Sequence, residues 1–490
     1  MMDDNDMPFI GRKYEMDMLN QRYNSNQAEF FLLYGRRRVG KTELLMQFCE
    51  DKPSIYYYCD ETTDEAQLSV LSQTILSFEH DKVHYGATFA TWADAFMAVG
   101  DLCGDKKLVF VLDEFPYIVK NNKSILSVLQ KLWDLELCHK NIMIVITGST
   151  MSFIKKKLLS QENPLFGRID GHYKLEPLPF SDAIQFFQDY SDEDKIIAYS
   201  ILGGTPYYLK KFNPKWTIAQ NIENVILKKD ASLYDMVNTV LREELREPSV
   251  FNRIIEVIAQ GETVFNNIKN KTKLSTQKLS VYLSRLIELG IIVKDYSFDI
   301  SETDKTNETV GKYYLADNFF RFWYRYAFPN KKLLEQRKTG KVMDIIKTDA
   351  GGIHSYASKA FETACIDYIN EMDRRGKLPF GVLYVGRYWG KIKEIVDGKP
   401  KTSPVEIDLV ANGEEQNQYI LGECKFKNEL LGEDELKSLR AKCTFKGEIY
   451  YYLFSLAGFT KGIEEIAQRD HHVVLVTAHD VVNCIQDNPV

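Results

Sequence analysis

The chain has 490 residues, 44% hydrophobic and 27% charged, with a net charge of −7. That length exceeds a single core and implies roughly two to four domains, and the charge balance excludes a disordered chain or a wholesale polyanion binder, leaving only local basic patches. Eight cysteines lie scattered without a CxxC pair, which points to reduced thiols rather than a disulfide frame or a zinc site.

The amino-terminal "MMDDNDMPF" is acidic and polar, unlike a secretory signal. Apolar runs such as "KLVFVL" are strand-length and too short to span a membrane. The expectation is a cytoplasmic protein with no membrane partner.

In chain order, apolar runs at 29–34, 54–59, 106–113, 140–148 and 172–178 read as strands. Helical spacing fills 42–49, 65–78, 91–103 and 122–138. Continuous apolar strands alternating with helices predict a parallel sheet covered on both faces. After about residue 180 helices follow without strands, at 181–190, 194–201, 205–211 and 216–228. Residues 236–330 hold three helical stretches, then "GIIVKDYSF" and "GKYYLAD" as a hairpin around a polar loop. A charged helical connector spans 331–352, and mixed helix and strand resume beyond it. The expected divisions are therefore 1–178, 179–235, 236–330, 331–352 and 353–490.

Between the first strand and the helix that follows it stands "YGRRRVGKTELL". Gly35, Gly40, Lys41 and Thr42 fit the spacing GxxxxGK[ST], a loop whose backbone N–H groups curl around a phosphate chain at a helix N-terminus. Arg36, Arg37, Arg38 and Val39 occupy its variable middle, where the arginine side chains are expected to face solvent or a partner. Lys41 is placed to reach the β- and γ-phosphates, and the Thr42 hydroxyl to hold Mg²⁺. "KKLVFVLDEF" then ends a strand in two acids: Asp113 suits a magnesium-water ligand, and Glu114 suits a base that polarises the attacking water. The next strand ends in "ITGST", where Thr147 or Ser149 either senses the γ-phosphate or forms a turn.

With "PFIGRKYEMDML", "NPLFGR" and "LGGTPYYL", this order resembles the archaeal-type ATPase family, in the STAND branch of the AAA+-related P-loop NTPases. The resemblance covers roughly 8–330. It implies a P-loop hydrolase core with a helical lid, ATP and Mg²⁺ as cofactors, Gly11 and Arg12 beside the adenine, and Pro206 near the nucleotide. It also offers Arg168 as a catalytic arginine acting on the γ-phosphate in cis or across subunits of a homo-oligomer, or else a structural salt bridge.

Residues 251–294 read as a winged helix-turn-helix, its third helix capped by Ser275 and stopped by Gly290. That helix presents Ser275, Thr276, Gln277, Lys278, Ser280 and Arg285 outward, with Lys269, Lys271 and Lys273 close by. Such a face can meet a DNA major groove or serve as a packing module. The aromatic run 313–328 has the helical spacing of a core stripe.

The carboxyl-terminal "VEIDLVANGEEQNQYILGECKF" places Glu423 and Lys425 two apart on one strand face, with Asp408 across a hairpin. Two carboxylates there can hold Mg²⁺, and a lysine can orient the attacking water. Glu362 on the helix before joins them in a resemblance to the PD-(D/E)XK restriction-endonuclease-like α/β fold, over about 355–475. That resemblance implies Glu362, Asp408, Glu423 and Lys425 as the site, although no proline precedes Asp408. A cutting domain, a non-cutting nucleic-acid binder and a solvated hairpin all remain open. "HH" at 471–472 lacks acidic or cysteine partners and reads as structural.

The functional expectation is an α/β multidomain ATP-hydrolysing switch coupled to a nuclease-like domain that binds nucleic acid, DNA more than RNA. The alternative is a regulatory ATPase scaffold that gates contacts with a protein partner, its nuclease fold inactive.

Overall fold

The computed structural model describes residues 8–79, 87–161, 163–245, 247–301, 303–307, 310–349, 351–396, 399–415 and 417–486. It divides into two compact units, one of residues 1–178 with 205–207, the other of 179–204 with 208–490.

The first unit is built on five strands: β1 (Glu29–Tyr34), β2 (Ser54–Tyr58), β3 (Leu108–Asp113), β4 (Ile142–Gly148) and β5 (Gly171–Lys174). They pair in the order β2-β3-β4-β1-β5, all parallel. β3 and β4 are buried along their whole length, so both faces of the sheet need covering. Alternate side chains of each strand point to opposite faces. Phe31, Leu33, Val109, Val111, Met143 and Val145 pack with Leu44, Leu45 and Phe48 of the helix Lys41–Cys49. On the other register, Phe30 meets Trp133 of the helix Ile125–Leu135, and Phe110 meets Phe96 of the helix Trp92–Asp101.

Two local readings need correction. The helix expected over 122–138 is Ile125–Leu135 with a short turn at Leu137–His139, and an unexpected helix, Pro116–Asn121, precedes it. Pro116 sets the first turn, and Asn122 breaks the run in an extended conformation. The strand expected over 172–178 ends at Lys174, before the "PLP" segment that cannot extend a ladder.

In the second unit, the helix Asp192–Leu202 is capped by Ser191, whose side chain accepts from the Asp194 amide at 3.1 Å. Helices Pro248–Ala259, Phe265–Thr272 and Thr276–Glu288 precede two antiparallel strands, β6 (Ile292–Asp295) and β7 (Lys312–Leu315). Ser275 caps the third helix, and Gly290 beyond its end has φ +65°, the left-handed conformation that stops a helix. Phe319, Phe320, Phe322, Trp323 and Tyr326 are buried, as a core stripe requires. The expected connector is two helices, Lys331–Glu335 and Thr339–Thr348, interrupted where Arg337 adopts a positive φ of 60°. Leu334, Val342 and Ile346 bury it against its own unit.

The last segment opens with the 23-residue helix Gly352–Arg374. Three antiparallel strands follow: β8 (Val382–Val396), β9 (Lys399–Gly413) and β10 (Gln418–Lys425). The helix Glu433–Lys442 then leads to β11 (Glu448–Ser455), parallel to β10, and β12 (Val473–Thr477) completes the order β12-β11-β10-β9-β8. Leu436, Leu439 and Ile463 pack on one face with Val410, Leu421 and Leu453. On the other, Phe361 and Tyr368 of the long helix meet Phe426 and Phe454.

Candidate nucleotide site and acidic site

The carboxyl ends of β1, β3 and β4 converge in the first unit, the edge where open α/β sheets hold ligands. After β1 the backbone runs so close to β5 that a Cβ on Gly35 would lie 2.5 Å from the Leu175 carbonyl oxygen, so only glycine fits there. Gly40 has φ +96°, and its Cβ position lies 3.6 Å from Pro206 Cγ. The structure thus brings Pro206 to the loop.

The arginines do not point away from the unit as expected. Arg36 is buried. Arg37 Nη2 donates to the Tyr117 hydroxyl at 2.8 Å, and the Arg38 guanidinium lies 5.1 Å from the Tyr207 ring centroid. Arg38 also adopts φ 72°, so a non-glycine residue takes a left-handed turn inside the loop. From the opening box, Gly11 and Arg12 form consecutive left-handed residues, and Arg12 Nη2 donates to the Val39 carbonyl at 2.8 Å. Its other nitrogen bonds Glu15 at 2.9 Å. Arg12 therefore ties the box directly to the loop.

Lys41 is buried, with Nζ 3.0 Å from the Gly35 carbonyl and 3.6 Å from Glu114 Oε1. Thr42 Oγ1 donates to Asp113 Oδ2 at 2.6 Å. The same oxygen accepts from the Tyr56 hydroxyl at 2.8 Å, and Thr147 Oγ1 donates to Oδ1. Asp113 is fully buried, and three hydroxyls from three elements stabilise its charge. Burial first, and the Asp113 charge second, push the Tyr56 phenol well above its ordinary pKa, so it stays a donor.

Glu114 has φ 55°, which turns its side chain across the sheet edge. Its Oε2 accepts from the Ser149 hydroxyl at 2.7 Å and the Ser149 amide at 3.1 Å. Thr147 and Ser149 thus grip one acid each. Arg168 makes a two-pronged contact with Asp134, at 3.1 and 3.0 Å, which is the salt-bridge alternative. Tyr56 was not singled out from sequence, because "SIYYYC" reads only as an apolar strand; its role depends on β2 lying beside β3.

In the second unit, Asp408 of β9 lies beside β10, where its Oδ2 accepts from the Cys424 amide at 2.9 Å. Burial, then the charges of Glu362 and Glu423, raise the Asp408 carboxyl to about 6. Burial alone would raise Glu423 too, but contacts to Lys425 and Lys442 outweigh it and hold that carboxyl low. Lys425 bonds Glu423 Oε1, and Lys442 of the helix Glu433–Lys442 bonds Oε2 at 2.8 Å. Burial works against the Lys425 charge, yet Glu423 raises its pKa. Glu362 is held by Lys359 at 2.8 Å and by Arg387 at 3.1 Å. Lys442 and Arg387 escaped the sequence reading, since each comes from a separate element.

The sequence-predicted Glu362, Asp408, Glu423 and Lys425 therefore share one electrostatic neighbourhood. Carboxylate oxygens suit a hard divalent cation, and Asp408, raised by burial and then by two neighbouring carboxylates, is the group such a cation would relieve. Among the described residues, however, no three His, Cys, Asp or Glu side chains are gathered closely enough to hold a metal. Nearby cations balance Glu362 and Glu423 instead.

On the third helix of 248–288, Ser275, Thr276, Gln277 and Lys278 are exposed, as are Lys271 and Lys273, while Ser280 is half-buried. Arg285 departs from expectation: it pairs with Glu288 at 3.1 Å and Glu244 at 3.8 Å. The cysteines are free thiols, and among the described residues no helix is long and apolar enough to cross a membrane.

Residues 9–212 match a family of ATPase domains found predominantly in Archaea, and residues 323–439 match a family of archaeal and bacterial proteins of unknown function. The uncharacterized protein MJECL04 of Methanocaldococcus jannaschii is 31% identical over 423 residues, 86% of this chain and 88% of its own. A second protein of that organism, the ATP-binding protein MJ0423, is 50% identical over 44 residues, 9% of this chain and 75% of its own. Among solved structures, the Walker-type ATPase PABY2304 of Pyrococcus abyssi is 21% identical, covering 65% of this chain and 96% of that one at a TM-score of 0.46. The chain belongs to the family represented by MJECL04, and its first unit is an ATP-binding P-loop ATPase domain.

Proposed function

We propose that the protein is an ATP-hydrolysing switch whose second unit binds nucleic acid through a winged helix and carries a magnesium-dependent, nuclease-like acidic site. The observation that carries the ATPase half is the 2.6 Å bond from Thr42 to Asp113, which links the phosphate loop to the acid-tipped strand. In this reading, the amides of 35–42 cradle the triphosphate and Lys41 leaves the Gly35 carbonyl for the β- and γ-phosphates. Thr42 and Asp113 are the residues that would hold Mg²⁺, which when bound would neutralise charge developing on the phosphates. Glu114 takes a proton from the attacking water after release from Ser149.

The exposed Ser275-Thr276-Gln277-Lys278 helix start, beside Lys271 and Lys273, supports groove and phosphate contact. The helix–strand–strand–strand–helix–strand order of 352–455 and the grouping of Glu362, Asp408, Glu423 and Lys425 support the nuclease-like reading. One observation favours the alternative, a scaffold with an inactive nuclease fold: both Glu423 oxygens are already satisfied by lysines.

Phosphate release from wild type and Glu114→Gln tests the ATPase half. The variant is expected to bind ATP yet hydrolyse it at least about a hundredfold more slowly; equal rates remove Glu114 from the chemistry. Cleavage of single- and double-stranded DNA and RNA, with and without ATP, tests the other half. Cutting that survives Lys425→Ala rules out the proposed acidic site.

A further inference from the structure

Arg321 is a half-buried cation that meets only neutral acceptors among the described residues. Its guanidinium lies 4.5 Å from the ring centroid of Tyr356, on the long helix Gly352–Arg374. Nε donates to the Tyr356 hydroxyl at 3.3 Å, and Nη2 to the backbone carbonyls of Ser200 and Tyr356, both at 3.4 Å. Nη1 donates to none of the described residues. A guanidinium cannot shed its charge, so withdrawing it from water is offset best by an anion.

Arg321 lines a cavity of about 480 Å³ within the second unit, and Arg325, Lys359 and Arg387 line it too. Those three have carboxylate partners: Arg325 pairs with Asp349 at 2.7 Å, and Lys359 and Arg387 share Glu362, at 2.8 and 3.1 Å. Arg387 also reaches Asp295 at 3.3 Å. Such pairs can take a second anion, since an ammonium has three donors and a guanidinium five. Tyr314 of β7 lines the same cavity, and its hydroxyl bonds none of the described residues. Burial first, and the Glu406 charge next, hold its phenol above the ordinary pKa, so it stays a donor. Glu406 of β9 is the one carboxylate on the wall among the described residues; it is exposed and makes no ion pair there.

We propose that this cavity binds a small phosphorylated sugar of mononucleotide size, its phosphate on Arg321 and its sugar hydroxyls on Tyr314 and Glu406. The volume exceeds a bare phosphate and falls in the range of small-molecule sites. Four cations on the wall favour a phosphate dianion over a single carboxylate. Glu406 would repel an anion set beside it but accepts from a hydroxyl, and the Tyr314 phenol supplies the matching donor. The site holds whether or not the carboxylates around Asp408 do chemistry.

Calorimetric titration of AMP and of ribose 5-phosphate into the full chain tests this, in a Lys41→Ala background that weakens the first site. Each probe is expected to fill one saturable site. Arg321→Gln should weaken that binding at least about tenfold, because a charge-assisted contact is lost. Tyr314→Phe should weaken it about threefold to tenfold. Thermal melts of each variant separate lost binding from lost structure, and Tyr314→Phe, which removes only a hydroxyl, decides the matter if Arg321→Gln does not fold. No binding of either probe, or binding that these substitutions leave unchanged, overturns the site. Inorganic phosphate that binds as tightly as ribose 5-phosphate removes the sugar from the proposal. A 5′-phosphorylated oligonucleotide that binds more tightly than AMP, and loses its affinity in Arg321→Gln, overturns the small ligand in favour of a nucleic-acid end.

Discussion

Thr42 Oγ1 donates to Asp113 Oδ2 at 2.6 Å, joining the first helical turn after the phosphate loop to the end of β3. The helix follows β1, and β4 stands between β1 and β3 in the sheet, so the bond reaches past an intervening strand. Tyr56 reaches the same oxygen from β2 and Thr147 the other from β4, so three hydroxyls hold a buried carboxylate.

Tyr56→Phe removes one of those donors and changes little else. A hydrogen bond to a buried charged group is worth about 1.5–3 kcal/mol. Urea denaturation of the nucleotide-free protein should record a loss in that range. A loss below about 0.5 kcal/mol would mean that water replaces the phenol freely.

Gly35→Ala pushes a Cβ into the Leu175 carbonyl, 2.5 Å away. Because the clash is with backbone, relief requires the loop to shift, at a cost of about 1–3 kcal/mol. Binding of a fluorescent ATP analogue should fall more than tenfold while the circular dichroism spectrum stays native. Unchanged binding would show that the loop tolerates displacement.

Arg168 and Asp134 separate a structural pair from a catalytic arginine. If the salt bridge is the whole role, Arg168→Ala and Asp134→Ala should lower kcat for ATP equally little. A large drop confined to Arg168→Ala would assign the arginine to the γ-phosphate instead.

Asp408 makes stability depend on pH in a defined direction. Its folded carboxyl titrates at about 6, above the unfolded value of about 3.9. Between those values the unfolded chain has released a proton that the folded chain keeps, so stability falls as pH rises from about 4 to about 6 and stays lowered above. Asp408→Asn should therefore stabilise the metal-free protein at pH 7.5, by up to about 3 kcal/mol, and change little at pH 4. Thermal melts at the two pH values read the difference. Equal effects at both would place the titration elsewhere, Asp367 being another carboxyl raised by burial to about 6.

Lys278 lies on the exposed start of the third helix of 248–288. If it contacts a DNA phosphate, Lys278→Gln should weaken binding to all sequences alike and reduce the slope of log K against log salt by about 1. An unchanged slope would leave that helix as a packing element.

Much of the nucleotide site was legible because its signals are local. Gly35, Gly40, Lys41 and Thr42 lie within one turn and one helix start, and Asp113 and Glu114 stand where an apolar run stops. Tyr56 was hidden because strand order, not spacing, carries its hydroxyl to Asp113. The inward course of Arg36, Arg37 and Arg38 was hidden for a similar reason, since Tyr117 and Tyr207 are remote in sequence. In the second unit, period-two spacing put Glu423 and Lys425 on one face, but the counter-charges Lys442 and Arg387 arrive from elements that only the folded chain brings near. The break at Arg337 follows from a positive φ that its residue type does not signal.

Calorimetric titration of ATP with Mg²⁺ into wild type and Lys41→Ala tests the phosphate cradle most directly. Saturable binding at one site in wild type, weakened at least about tenfold in the variant, is the predicted result. Equal affinity of the two proteins, or no binding to wild type, would contradict it.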